Sequence, residues 1–188
     1  MAVPQRIVSL LPSSTEILCA LGLEGSLVGL SHTCDYPPAV TALSRLTRPS
    51  SGMVEAGYAP DRAVAVVQAG LSPYHLDVEL LRTLQPDLIV TQDQAAGCGV
   101  SYAAILQATA SILGTQVEVL SLHPTLLQDI WDDIHRVGKA TQQQRQAATL
   151  LEEIFARVNT VVAASIMVRE PPRVAMLVWT APLMLAGS

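Results

Sequence analysis

Arg6-Ile-Val-Ser-Leu-Leu-Pro-Ser-Ser-Thr-Glu16, followed by Leu27-Val-Gly-Leu-Ser-His-Thr-Cys-Asp-Tyr-Pro-Pro38, is the stretch that decides the fold class. Ile7–Leu11 is a short, continuous apolar run, the pattern of a strand buried on both faces of a parallel sheet. Pro12 ends it. Ser13-Ser14-Thr15-Glu16 then fits a capping box, with Ser13 as N-cap and Glu16 three residues on. Ile17, Leu18 and Leu21 form the buried face of that helix, and Gly22 closes it in the left-handed conformation. Leu27–Leu30 is a second buried strand, which completes one βαβ unit. Ser31–Pro38 is therefore a stiff, polar, tyrosine-bearing loop at the carboxyl end of a buried strand, where open α/β sheets bind ligands.

Working outward, residues 37–60 are rich in Pro, Ser and Gly and read as a long surface connection. Asp61–Gln68 is a helix with Pro60 at its start. Asp77 caps a short helix carrying Leu80, Leu81 and Leu84; Pro86 breaks it, and Asp87–Thr91 is another buried strand. Gln92–Gly99 is a polar loop at the carboxyl end of that strand. Tyr102–Leu113 reads as helix and Gln116–Leu122 as strand. Thr125 and Gln128 form a second capping box, opening a helix with a stripe of Leu127, Ile130, Trp131 and Ile134, and Gly138 ends it. The alternation predicts an α/β fold with a doubly wound parallel sheet of about four strands.

A third capping box, Thr141 with Gln144, opens a longer helix with a stripe of Leu150, Leu151, Ile154, Phe155, Val158, Val162 and Ile166. From Thr141 to Val168 it would span roughly 40 Å, more than a crossover over a small sheet requires. A helix of that length is expected to bridge two lobes. Arg173–Trp179 is then one more strand, and a single strand cannot bury both of its faces. The expected organisation is an N-terminal α/β lobe over 1–140, a bridging helix over 141–168, and over 169–188 the first strand of a second α/β lobe, with the sequence stopping as that lobe opens.

Composition narrows the function. Of 188 residues, 50% are hydrophobic, only 4% aromatic and 14% charged, with a net charge of −5. The core is thus aliphatic, and without a basic patch nucleic acid is not expected as a partner. No apolar run reaches the roughly 18 residues of a membrane span. No charged region precedes an apolar run at the N-terminus, so no secretory signal is read, and Leu18 is too large for a lipoprotein reading of Cys19. A cytoplasmic protein, a mature form and a gene model lacking its start all fit. With 3 cysteines, an odd count, no disulfide framework is implied. Cys19 reads as a buried helical thiol, and a Cys34–Cys98 bridge stays open.

No Gly-rich phosphate loop, G-x-S-x-G elbow or metal pair supports an enzyme. Asp132 and Asp133, near Arg136, read as a solvated helix face. His32, Cys34 and Asp35 are all zinc-ligand types, but a structural site needs four ligands, and His75 and His123 are distant in sequence. A protein-bound metal is not expected. Gln92, Asp93 and Gln94 follow a buried strand, so they either contact a ligand or form a solvated turn. Ser13 and Ser14 sit at a helix N-terminus on the same side and could present backbone donors to an anionic or carbonyl group; capping accounts for Ser13 equally well.

The opening motif, Cys34-Asp-Tyr-Pro-Pro38, Leu84-Gln-Pro-Asp-Leu-Ile-Val90, Thr91-Gln-Asp-Gln94 and Cys98-x-Val-Ser101 together resemble the vitamin B12 (cobalamin)-binding, periplasmic-type substrate-binding proteins of ABC importers. The resemblance covers the whole chain, although the Pro-Asp-Leu strand is shared with siderophore and haem binders. It implies two α/β lobes joined by a rigid helix, a ligand held between them, and an ABC importer permease and ATPase as partners. By position, Tyr36 would pack against the corrin, with Trp179 on a further ligand-facing stretch. Glu79 would dock on the permease. No covalent cofactor is implied; the ligand would be cobalamin or a related corrinoid, with His32 a conceivable neighbour of its cobalt. Location would be periplasmic or cell-surface. The alternatives are an iron–siderophore or haem ligand, and a cytoplasmic sensor or non-functional fragment.

Overall fold

Ile7 and Val8 are both fully buried, on opposite faces of one strand, and the architecture follows from that double burial. The computed structural model of the chain describes residues 3–50, 66, 73–93, 99–112, 114, 117–166, 168, 170, 172–180 and 183–185, with residues 178–180 and 184 described by backbone alone. Of the helix expected over Asp61–Gln68 only Val66 is described, and it is helical; the rest of that segment lies outside the described residues, as do Gln94 and Cys98. A five-stranded sheet has the order β3-β2-β1-β6-β7, where β1 is Ile7–Ser9, β2 Leu27–Leu30, β3 Ser44–Arg45, β6 Leu88–Gln92 and β7 Glu118–Leu122. All its pairings are parallel, and Val8 lies opposite both Gly29 and Ile89.

Among the described residues, apart from the single helical position Val66, five helices accompany the sheet: α1 (Pro12–Ala20), α2 (Val78–Leu84), α3 (Tyr102–Ile112), α4 (Leu127–Ala140) and α5 (Gln144–Ile166). Ile7, Leu88 and Val90 pack on one face with Leu18 of α1, Ile134 and Val137 of α4, and Ala147 and Leu151 of α5. Val8 and Ile89 pack on the other with Leu81 of α2 and Ile105 of α3. The fold is thus α/β and doubly wound, with five strands where the sequence pattern suggested about four. The extra strand lies in the stretch expected to be plain surface connection. That stretch also supplies β4 (Thr47–Pro49), which pairs antiparallel with β5 (Tyr74–Leu76).

Several ends differ from their sequence signatures. In α1 the N-cap is Leu11, extended at φ −149°, with Pro12 as the first helical residue. The Ser13 capping box does not form. Ser14 and Thr15 hydroxyls instead donate back to the Leu11 carbonyl at 3.0 and 3.2 Å. The other end is as expected: Gly22 at φ +78° lets the Leu23 N–H reach the Leu18 carbonyl at 3.0 Å. Burial pushes the Cys19 thiol on α1 up to about 11, as befits an inert buried cysteine.

At α2, Asp77 caps as its position suggests, accepting the Leu80 N–H at 2.8 Å. The adjoining Pro86-Asp87 also has a physical role. The Asp87 carboxylate accepts the N–H groups of Gln5 and Arg6 at 2.8 and 3.0 Å, which ties the chain start to the head of β6.

At α4, Asp129, not Gln128, makes the reciprocal cap. Its carboxylate accepts the Thr125 and Leu126 N–H groups at 2.8 and 2.7 Å, and these bonds hold it below the usual carboxylate range. Gly138 does not end α4, which runs on to Ala140. A Cβ on Gly138 would stand 2.7 Å from the Ala147 Cβ, so this glycine permits close helix approach. Thr141 caps the end of α4 rather than the start of α5: its hydroxyl donates to the Val137 carbonyl at 2.8 Å. Asp133 is buried, not on a solvated face; it accepts from Arg136 at 2.8 Å, and burial pushes its carboxyl up.

The 23 residues of α5 extend about 34 Å. Ala147 and Leu151 are buried on the sheet, whereas Phe155, Val162 and Ile166 are 42%, 48% and 76% exposed. Beyond it, the strand expected over Arg173–Trp179 is shorter and has a partner: β8 (Leu177–Thr180) pairs antiparallel with β9 (Leu183–Leu185). Among the described residues no helix is long and apolar enough to cross a membrane.

Candidate functional site

The chain leaves β1 for β2 on one side, and β6 pairs on the other, so the sheet switches direction between β1 and β6. Open α/β sheets offer a crevice at the carboxyl ends of the strands at such a point. Leu10 follows β1, Ser31, His32 and Thr33 follow β2, and Thr91 and Gln92 end β6; all six line one small, partly open crevice. Thr47 and Tyr74, from β4 and β5, close one wall, and Gly99 and Val100, just before α3, complete it.

Beneath that crevice runs a web of hydroxyls and one thiol. Ser9, at the end of β1, bonds the hydroxyls of Ser14 and Thr15. Thr15 donates to the Cys34 sulfur at 3.1 Å, and Ser31 contacts the same sulfur at 3.1 Å. Ser31 also bonds the Thr33 hydroxyl at 2.8 Å. Each of these buried polar atoms has a partner, so the web fixes the loop after β2 to α1 without unsatisfied groups. Cys34 is a free, buried thiol. It faces this web and does not join His32 and Asp35 as a ligand.

His32 is held from two directions. Its backbone N–H donates to Thr47 Oγ1 at 3.0 Å, and its ring Nδ1 lies 2.8 Å from the same oxygen. The Tyr74 ring stands 5.4 Å away, tilted by 37°. Burial and the nearby Arg45 guanidinium both lower the His32 pKa from its ordinary 6.5, which keeps the imidazole neutral at pH 7. Arg45 donates to the carbonyls of Ser31, Cys34 and Thr41, and so staples the loop that carries Tyr36.

The residues expected to touch a ligand separate into groups. Gln92 lines the crevice. Tyr36 belongs to the same loop as His32 and is 60% exposed, a large aromatic presented to solvent at this end of the sheet. Asp93 follows Gln92 and is exposed; its N–H donates to the Leu122 carbonyl. Ser13 is exposed on the first turn of α1. Ser14 is fully buried, with its hydroxyl engaged by Ser9 and Leu11, so its side chain is not available to a ligand. Trp179 lies in β8, paired with Met184, and Gln94 lies outside the described residues. Glu79 stands on the first turn of α2 and is not among the residues that line the crevice; it is 76% exposed and 3.5 Å from Arg82.

Sequence reading passed over Thr47 and Tyr74, which form half of one wall. β4 and β5 are short and lie within or beside Pro-, Ser- and Gly-rich stretches, so they show no periodicity; only their antiparallel pairing brings the two residues together. By residue type His32 suggests metal chemistry, whereas the structure gives it a hydrogen-bonded position in the crevice.

A sequence model of the family described as "Periplasmic binding protein" matches residues 7–183. The vitamin B12-binding protein of Photorhabdus laumondii is 27% identical over 161 residues, covering 84% of this chain and 47% of that protein. Among solved structures, the periplasmic vitamin B12 binding protein BtuF of Vibrio cholerae aligns with a TM-score of 0.67 at 20% identity, over 96% of this chain and 58% of that one. The periplasmic heme binding protein HutB of Vibrio cholerae aligns with a TM-score of 0.65 at 22% identity, over 92% and 54%. The chain thus spans about half the length of these proteins.

Proposed function

As the chain belongs to the periplasmic binding protein family, we propose that it acts as the substrate-binding component of an ABC importer, with cobalamin or a related corrinoid as its ligand. On this reading residues 1–140 form the first lobe, 141–168 the bridging helix, and 169–188 belong to a second lobe that closes over the crevice. The protein binds and releases its ligand without chemistry, outside the cytoplasm, and delivers it to a permease and ATPase.

The observation that carries this reading is the pairing of an exposed aromatic with a polar crevice on one loop. Tyr36 presents its ring to solvent while His32 and Thr33, a few residues earlier, line the crevice. A large flat macrocycle with polar arms wants that combination: a ring face to stack on, and hydrogen-bonding groups beside it. On the same reading Gln92, Asp93, Gln94, Ser13 and Trp179 are the proposed further contacts to that ligand. Haem is the competing ligand, because the fold likeness to a heme binding protein, with a TM-score of 0.65, is nearly as high as that to a B12 binding protein, at 0.67.

Titration with cyanocobalamin and with haemin, followed by absorption, separates the two. Cyanocobalamin is expected to bind more tightly, and Tyr36→Ala to weaken it by about tenfold or more, the scale of a lost aromatic anchor. Tighter binding of haemin overturns the corrinoid assignment. Glu79 is the proposed permease contact, supported by its exposure on an outward helix turn. Glu79→Ala is expected to lower uptake in a reconstituted transporter while leaving ligand affinity unchanged.

A further inference from the structure

We propose that the crevice between β1, β2 and β6 is a subsite for an uncharged amide arm of the ligand and discriminates against a carboxylate in the same place. The inference rests on the corrinoid reading above and specifies which part of such a ligand this half of the site reads.

The described groups that line the crevice are neutral and of both hydrogen-bonding kinds. The Gln92 side chain supplies an amide, which lies close to Gly99 and has no hydrogen-bond partner among the described residues. A carboxamide is complementary to another carboxamide: N–H meets C=O twice, with no charge to balance. Thr47 adds a hydroxyl, and His32 adds an imidazole whose Nδ1 is already taken by Thr47, leaving Nε2 for the ligand.

The nearby charges also disfavour an anion. The Arg45 guanidinium bears on His32, but its donors are committed to the carbonyls of Ser31, Cys34 and Thr41. Arg48 sits between Thr47 and Pro49 in β4 opposite His75 in β5, so alternation places both on the reverse face from Thr47 and Tyr74. Asp93, next to Gln92, brings a negative charge to the rim. A carboxylate seated here would exchange water for an amide and hydroxyls with no counter-ion among the described lining residues, which is unfavourable in a partly enclosed site. A neutral amide meets no such cost.

The test compares cyanocobalamin with its monocarboxylic acids, in which one peripheral propionamide is hydrolysed, by equilibrium dialysis at pH 7. NMR shift changes at the Gln92 side-chain amide and the His32 and Thr47 backbone amides locate the binding. At least one monocarboxylate isomer is expected to bind about tenfold or more weaker than cyanocobalamin. In Gln92→Arg, which adds a cation at the crevice edge, that isomer's disadvantage is expected to vanish or reverse with an unchanged melting temperature. Equal affinity for all the isomers, or an unaltered ratio in Gln92→Arg, overturns the subsite. If corrinoids shift no resonance but the neutral hydroxamate complex ferrichrome shifts Gln92, the corrinoid reading falls and the neutral subsite stands. If haemin alone shifts those resonances, through its propionates, both fall.

Discussion

The βαβ opening and the outer half of α5 carry apolar residues at equally regular spacing, yet the structure treats them in opposite ways. In the opening, Ile7, Val8, Leu18, Leu27 and Leu30 are all buried, and beneath the loop that follows, every hydroxyl in the Ser9–Ser31 web is paired. In the outer half of α5 the stripe continues through Phe155, which meets Trp131 edge-on, and Val158, Val162 and Ile166, all of them exposed, from 37% at Val158 to 76% at Ile166. Periodicity reports that a face is built to be covered; it does not report what covers it. The same helix shows the contrast within itself, since Leu151 is 3% exposed and Ile166 is 76% exposed.

That contrast can be broken most forcefully by truncating both halves of α5. Leu151→Ala removes a buried side chain from the core cluster that α5 shares with α1, α4 and the sheet, and should destabilise by about 2–5 kcal/mol in urea unfolding. Val162→Ala should change stability by no more than about 0.5 kcal/mol. Equal losses would mean that the outer half is covered in solution, and the comparison would collapse.

A second, smaller effect sharpens it at the joint. Gly138→Val forces a side chain against Ala147, whose Cβ would be only 2.7 Å away. The resulting overpacking should cost about 1–3 kcal/mol, read as a lowered unfolding midpoint. A neutral outcome would show that α4 and α5 can separate, and that the inner half of α5 is less firmly seated than its burial implies.

The smallest effect concerns pH and belongs to the opening alone. Because the His32 pKa is lowered on folding from its ordinary 6.5, the unfolded chain binds more protons at this site. Its contribution is fully present above pH 6.5 and diminishes as pH falls from there toward the folded value. Unfolding midpoints measured across that window should decline more in the wild type than in His32→Gln. Parallel profiles would mean that His32 is solvated and does not hold the position described.

Much of the fold was legible because short-range chemistry set it. Leu27–Leu30 is a strand at the bounds its apolar run gives, Asp77 caps α2, and Gly22 closes α1. The misreadings share one cause. Ser13, Gln128 and Thr141 all sit in plausible cap positions, but capping depends on which residue takes extended backbone, and neighbours decide that. Pro12 shifted the first cap to Leu11, Asp129 outcompeted Gln128 as a charged acceptor, and Thr141 was drawn to the Val137 carbonyl. Asp133 looked solvated from its neighbours in sequence and is buried because Arg136 accompanies it. Of the site, Tyr36 and Gln92 could be picked out as side chains following buried strands, while Thr47 and Tyr74 could not.

The sequence by itself determined the alternation of strands and helices, the aliphatic double burial of β1 and β6, and the presence of a tyrosine-bearing loop at a strand end. These follow from periodicity and turn chemistry, which act over a few residues. Only the tertiary structure decided that β1 lies between β2 and β6, that β4 and β5 bring Thr47 and Tyr74 to His32, and that Ser14 turns inward to Ser9 rather than outward. Those outcomes depend on contacts between residues far apart in the chain, where pairing register and the need to satisfy each buried polar group set the geometry, and no local pattern encodes them.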